Sequence, residues 1–404
     1  MKPIKIILLM AAVLSGWNSV FGQTWNLTYT GFLTKQVTHV VSSADGYMLA
    51  ATVSGGIYTS TNSGKTWTPD NVQNLAWGGI ASSADGNRLA AAVYGGGIFV
   101  STNAGALWTP TKAPTNYWIC IASSADGSFL VAGVGTNGSI YISPDAGASW
   151  TQTTAPTNNF WGSIASSADG NKLVAASGFP YYDGIENPNS TNAIYTSTDS
   201  GATWTQTKAP TNTWSSVASS ADGSKLVAAV GYPSKGVIYT STDSGANWLS
   251  NSAPYAPDGW QSVASSADGV ALVAVEGDSM LVSVSTNSGA TWSSNTIPNT
   301  FLLSVASSAD GNKLMAGSAG IGGRFGGVFI SQIKASPQLN LTPTDTNLTL
   351  AWTVPSTNFV VQQSSDLISW IDLTNTPTLN LTNLNNELVL SPTNSTGFFR
   401  LSTP

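Results

Sequence analysis

The pentapeptide Ser-Ser-Ala-Asp-Gly occurs seven times, with its aspartate at Asp45, Asp85, Asp126, Asp169, Asp222, Asp268 and Asp310, so that residues 37 to 331 divide into units of 40 to 53 residues. One such unit is too short to bury its own apolar face. Units of this length built from short β-type runs solve the problem by stacking around an axis as four-stranded blades. An eight-residue box, Ser-x-Asn/Asp-x-Gly-x-x-Trp, follows six of the seven pentapeptides and ends at Trp67, Trp108, Trp150, Trp204, Trp248 and Trp292.

Residues 214 to 251 show how one unit is built. Trp214 to Ser220 ends in small residues, as a strand crowded near an axis must. Lys225 to Val230 follows an Asp-Gly turn, Gly236 to Ser241 gives a third strand and Asn247 to Asn251 a fourth. These are strands A to D, from axis to rim. The box joins C to D. Its Ser and its Asn or Asp (Asn62, Asn103, Asp145, Asp199, Asp243 and Asn287) are suited to hydrogen-bond the turn backbone, and its Gly permits positive φ.

In the seventh unit Val328 to Ser331 is followed by no box, so that blade lacks a D strand of its own. Thr24-Trp25-Asn26-Leu27-Thr28 reads like Thr203-Trp204-Thr205-Gln206-Thr207, which predicts that the N-terminal segment supplies it and leaves no open seam.

The boxes STNSGKTW, STNAGALW, SPDAGASW, STDSGATW, STDSGANW and STNSGATW resemble the Asp-box, or bacterial neuraminidase, repeat. The resemblance covers about three quarters of the chain and implies a β-propeller. It implies no single activity, because the family spans sialidases, xyloglucanase-type glycoside hydrolases, sortilin-type receptors and photosystem II assembly factors. Asn62, Asn103 and Asn287 stand where the family usually has Asp, which fits turn capping and not catalysis.

Lys2 and Lys5 precede an apolar run from Ile6 to Leu14, and Val20-Phe21-Gly22 resembles a cleavage site, so residues 1–22 read as a secretory signal. The expected location is secreted, periplasmic or cell-surface. The apolar run is far short of the ~20 residues that span a bilayer, and membrane insertion is not expected. Only 8% of the residues are charged, the net charge is −6 and no basic run exists, which argues against nucleic acid as a partner. Cys120 is the single cysteine and His39 the single histidine, so neither a disulfide framework nor a Cys/His metal site is available, and no metal or cofactor is expected.

Residues 333–337 form a linker, and 338–404 lack the repeat. Alternating runs such as Leu348 to Trp352, Phe359 to Gln363, Trp370 to Leu373, Glu387 to Leu390 and Gly397 to Leu401 predict five or six strands of a small sandwich. This segment resembles fibronectin-type or immunoglobulin-like modules appended to secreted bacterial proteins, for which attachment or spacing is the expected role. The whole is predicted to be all-β: a seven-bladed β-propeller over 23–332, closed by its N-terminal strand and followed by a small β-sandwich, and a monomer.

Strand alternation places the A–B turns and boxes at one pole and the variable B–C and D–A loops at the other, where a scaffold-held site is expected. Once the aspartates of the turns and boxes and the acids of the C-terminal segment are set aside, Asp70, Asp183, Glu186, Asp258, Glu276 and Asp278 remain. Asp183 and Glu186 stand with Phe179, Tyr181 and Tyr182 in the longest insertion, a composition suited to sugars. Trp77, Trp118, Trp161, Trp214 and Trp260 share one repeat position, where they read either as inter-blade packing or as a stacking platform near the channel mouth. Arg324 is a further candidate at this pole.

A sialidase needs an arginine triad for its substrate's carboxylate, and the ring holds only Arg88 and Arg324. A glycoside hydrolase on neutral polysaccharide needs two carboxyl groups, for which Asp183, Glu186, Glu276 and Asp278 are the candidates. The leading expectation is a non-catalytic propeller that binds a glycan or protein ligand at the variable pole, and the third reading is a structural surface protein.

Overall fold

Small and β-branched residues at alternate positions make each repeat a sheet with one face for each neighbouring blade. The computed structural model describes residues 25–28, 35–72, 74–135, 138–178, 191–298, 300–320, 326–332, 339–343, 347–353, 360–364, 369–374, 377–380, 384–390 and 398–402. The segments expected to be a signal (1–22) and a linker (333–337) lie outside them.

Seven antiparallel four-stranded units follow one another around an axis. Blade five is typical, with A Trp214–Ser219, B Leu226–Val230, C Ile238–Ser241 and D Leu249–Ser250. Strand D is shorter than its sequence suggests because Asn247 belongs to the box, its N–H donating to Asp243 Oδ1 at 2.9 Å.

Each residue of the pentapeptide has a structural task, seen in the first copy. Ser43 Oγ accepts the N–H of Met48 and donates to Asp45 Oδ1, which also accepts the N–H of Tyr47. Gly46 takes φ +63°, a conformation that costs a side chain-bearing residue. The alanine links blades. Ala44 N–H donates to Ala84 O, and Ala84 to Ala125, Ala125 to Ala168, Ala168 to Ala221, Ala221 to Ala267, Ala267 to Ala309 and Ala309 back to Ala44, all at 2.7–2.8 Å. The seven bonds form a closed ring about the axis.

Between blades, bulky residues of one sheet meet small residues of the next. Trp118, Ile121 and Tyr141 of blade three pack on Ala81, Ala90, Ala92 and Ile98 of blade two. Gly78 lets the strands approach, since a Cβ there would lie 2.1 Å from Trp118 O. Along the A strands, Ser163, Ser216, Ser262 and Ser304 accept backbone N–H groups of Val217, Val263, Val305 and Val40 in the following blade, at 3.0–3.2 Å.

The last blade is completed as the sequence predicts. Its sheet contains Leu302–Ser307, Lys313–Ser318, Gly327–Gln332 and, at the rim, Asn26–Leu27. Asn26 lies opposite Ile330 and Leu27 opposite Phe329, while Trp25 joins the apolar cluster of Leu302 and Phe329.

The described C-terminal residues form two sheets, one of Asn340–Pro343, Leu348–Thr353, Asn385–Leu390 and Thr378–Asn380, the other of Ile371–Asp372, Val360–Ser364 and Phe398–Ser402. They enclose Leu350, Trp352, Val361, Leu388 and Phe399 as a sandwich. Asn340–Pro343 and Thr378–Asn380 were absent from the expected strands because each is only three or four residues long and includes Asn or Pro, which carry little β signal.

Removing the chain up to residue 28 leaves Gly327–Gln332 as an unpaired edge. Such a variant is expected to melt at lower temperature and to self-associate in size-exclusion chromatography. An unchanged elution volume and melting temperature would show that the clasp is dispensable.

Candidate functional site

The boxes touch the pentapeptide turns of their own blades, as in Ser63 N–H to Tyr47 O at 2.8 Å and Ser244 N–H to Ser224 O at 2.8 Å, so both kinds of turn share one pole. In the boxes Asn62 Oδ1 accepts Thr66 N–H, and Asn103, Asp145, Asp199, Asp243 and Asn287 make the equivalent bond at 2.8–2.9 Å. These side chains are committed to their own turns. The enclosed crevices at this pole lie between blades, one of them lined by Met48, Thr59, Ser82 and Gly86, and are too small for a sugar.

At the variable pole the structure corrects one expectation directly. Trp118, Trp161, Trp214 and Trp260 are fully buried and Trp77 nearly so, leaving no indole face for a ligand. Trp77, Trp118, Trp161 and Trp214 meet aromatic rings of their own blades, and Trp260 lies in an apolar cluster with Ile238, Val263, Leu281 and Trp292. Trp161 meets Tyr195 edge-on at 5.4 Å and lies 6.4 Å from the box residue Trp204, and Trp118 repeats the arrangement with Tyr141 and Trp150. These five tryptophans are packing residues and not a stacking platform.

Glu276, offered by the sequence as a catalytic candidate, is also corrected. Its side chain is wholly buried, accepting Asp258 N–H at 2.9 Å through Oε1 and a bond from Ser279 Oγ through Oε2. Burial raises its carboxyl above the usual range, with the charges of Asp258 and Asp278 pushing the same way. Out of substrate's reach, it anchors the loop before blade six. Asp278 is exposed in the turn that follows. Phe179, Tyr181, Tyr182, Asp183, Glu186 and Arg324 lie outside the described residues.

Asp70 turns out to be structural. Its carboxylate accepts Thr59 Oγ1 at 2.8 Å and Trp108 Nε1 at 3.0 Å, tying blade one to the box of blade two, and burial pushes it up to about 6. His39 lies in strand A of blade one beside Thr52 Oγ1, and burial pushes it down to about 4. Cys120 donates to Trp161 O at 3.1 Å, and burial pushes its thiol up to about 12, which leaves it inert. Among the described residues no group of three or more His, Cys, Asp or Glu is placed to hold a metal ion.

The sequence reading missed the aromatic surface that is exposed at this pole. Strand B of blade two, Leu89–Gly96, runs past the ring and pairs with the start of strand A of blade three, Asn116–Ser123, with Tyr94 opposite Tyr117. The two rings stand 5.0 Å apart and are about half exposed, 49% and 52%. Gly95, at φ +75°, lies beneath the edge of Tyr117. Two further exposed tyrosines stand in loops that a bridge between Gly236 and Ala256 ties together, Tyr232 in the B–C loop of blade five and Tyr255 in the D–A loop leading to blade six. Lys235 Nζ sits 5.9 Å from the Tyr255 ring centroid. The pairs lie three blades apart in a ring of seven, hence on opposite sides of the channel mouth. The one local hint was the run Tyr94-Gly95-Gly96-Gly97, in which glycines clear space around an aromatic.

No protein-family model and no curated protein sequence matches the chain. Solved structures do. YCF48 bound to D1 peptide superposes with a TM-score of 0.54 at 14% identity, covering 78% of this chain and 97% of that one. The GH74 xyloglucanase from Xanthomonas campestris gives 0.59 at 17% identity over 82% of this chain and 59% of its own length, and YCF48 from Cyanidioschyzon merolae gives 0.55 at 13% over 76% and 98%. What they share with this chain is the propeller fold.

Trp161→Ala is expected to destabilise the ring by about 3–5 kcal/mol in chemical denaturation, as for a core aromatic. A loss below ~1 kcal/mol would contradict a packing role. Folded Asp70 holds its proton more tightly than the unfolded chain, so its contribution to stability falls as pH rises from the ordinary carboxylate value of 3.8 to about 6. Folded His39 holds its proton less tightly, so its contribution rises from about 4 to 6.5. Asp70→Asn removes the first and leaves the second. Its melting temperature should therefore climb more steeply than the wild type's between pH ~4 and ~6.5, whereas parallel curves would refute the assignment.

Proposed function

We propose that this chain is a secreted, non-catalytic propeller that recognises an extended glycan or peptide ligand laid across the mouth of its variable pole. The observation that carries the reading is the exposed tyrosine pair Tyr94–Tyr117, with the exposed Tyr232 and Tyr255 in linked loops on the opposite side of the channel. The Tyr94 and Tyr117 rings, about half exposed and braced by strand pairing, are already ordered, so stacking a pyranose face or an aromatic side chain on them costs little conformational entropy. The low charge of the chain favours a neutral polysaccharide as the ligand.

A peptide ligand has support from YCF48 bound to D1 peptide, which shares the propeller fold. The box sequences resemble the Asp-box repeat, and recognition without catalysis fits the receptor and assembly-factor branches of that family. Leaving the cell fits the basic and apolar pattern of residues 1–22. We read the C-terminal segment as a fibronectin- or immunoglobulin-like spacer or attachment module, a reading that two small sheets around a shared apolar core support only at the level of a β-sandwich.

Tyr94→Ala with Tyr117→Ala, and separately Tyr232→Ala with Tyr255→Ala, are each expected to weaken binding about tenfold in a neutral-glycan and peptide array while leaving the melting temperature unchanged. Full affinity in both double variants overturns the reading. Hydrolysis of a polysaccharide that is abolished by Asp183→Asn or Glu186→Gln would replace it with an enzyme.

A further inference from the structure

The ring of alanine hydrogen bonds leaves an apolar annulus at the uniform pole. Backbone N–H and C=O groups of Ala44, Ala84, Ala125, Ala168, Ala221, Ala267 and Ala309 are used in the ring, so what each turn still offers there is a methyl group. An annulus of seven methyls around an open axis is apolar surface with nothing of its own blades to cover it.

Leu384 covers it. This residue stands in the turn between strands Thr378–Asn380 and Asn385–Leu390 of the C-terminal sandwich, and it packs against both alanine clusters of the annulus, Ala44 with Ala309 and Ala125 with Ala168 and Ala221. It takes no part in the sandwich's own core of Leu350, Trp352, Val361 and Leu388. Its backbone adopts φ +54°, uncommon for leucine, while its N–H donates to Asn380 O at 2.8 Å. A branched apolar side chain presented on a tight turn, away from the core of its own unit, is shaped as a plug.

The repeat supplies an internal control. Of seven equivalent turn aspartates, Asp85, Asp126, Asp169, Asp222 and Asp268 are exposed, while Asp310 and Asp45, in the adjoining blades seven and one, are partly covered. Burial raises Asp310 above the usual carboxylate range, whereas Asp85, Asp126, Asp169 and Asp222 are held below it. Strand Gly327–Gln332 ends opposite Lys313, just after the seventh turn, so the chain leaves the ring at this same pole.

We infer that the alanine annulus is a socket whose occupant is Leu384 of the same chain, and that the C-terminal sandwich is thereby docked on the uniform pole, stopping the axial channel at that end. The channel is then a cup open only at the variable pole. This assignment is independent of which ligand the variable pole takes.

Leu384→Asp places a charge in the socket, and Leu384→Met preserves an apolar plug. In the full-length protein, Leu384→Asp is expected to raise the radius of gyration in small-angle scattering and to speed tryptic cleavage at Lys334 about tenfold, the loss of one partly buried leucine's apolar contact. Leu384→Met should behave as the wild type. Retained melting transitions of both units in Leu384→Asp confirm that undocking, and not unfolding, is being read. Wild-type scattering and cleavage in Leu384→Asp overturn the proposal, as does a concentration-dependent dimer of the wild type that Leu384→Asp dissolves, which would place the plug in a second copy.

Discussion

Seven alanine amides form a closed hydrogen-bonded circuit around the axis, and the rest of the ring is built outward from it. Buried at the crowded inner end of each blade, these N–H and C=O groups have no partner within their own sheet. Each would cost about 1–3 kcal/mol left unmade, while each bond formed contributes about 0.5–1.5 kcal/mol net. Every turn therefore depends on its neighbour. The circuit fixes how close adjacent turns lie, and it closes only when the seventh meets the first, as Ala309 meets Ala44. Serine hydroxyls of four A strands repeat the linkage further along the axis, from Ser163 to Ser304.

Outward from the circuit, size complementarity takes over. A Trp–Tyr–Trp group on one sheet fills the space above alanines and valines of the preceding one, so that each apolar cluster belongs to two blades at once. No blade has a core of its own. This explains why the ring needs the N-terminal strand: Trp25 contributes at blade seven what box tryptophans contribute elsewhere. The same packing directs the tryptophans inward and leaves recognition to residues that only some blades carry.

The two poles consequently differ in kind. At one, seven near-identical turns spend their side chains on their own backbones and present a socket of methyl groups. At the other, loops of different length raise tyrosines above the ring at blades two and three and at blades five and six. One pole is suited to a single symmetric contact on the axis, and the other to a ligand with direction and length.

The sequence by itself determined the blade number, the strand order, the turns and the clasp, because each rests on local chemistry repeated at a fixed spacing: Ser and Asp capping a turn, Gly at positive φ, Thr24 to Thr28 echoing Thr203 to Thr207. It could not decide what the tryptophans face, since an indole at a repeated position looks the same whether it packs or binds. That depended on Tyr195 and Trp204 lying beside Trp161. Only the tertiary structure brought Tyr94 to Tyr117, through pairing between two blades, and Leu384 to seven alanines spread from residue 44 to 309. Such contacts join segments far apart in the chain, and what makes them is the closure of the ring, which no local pattern records.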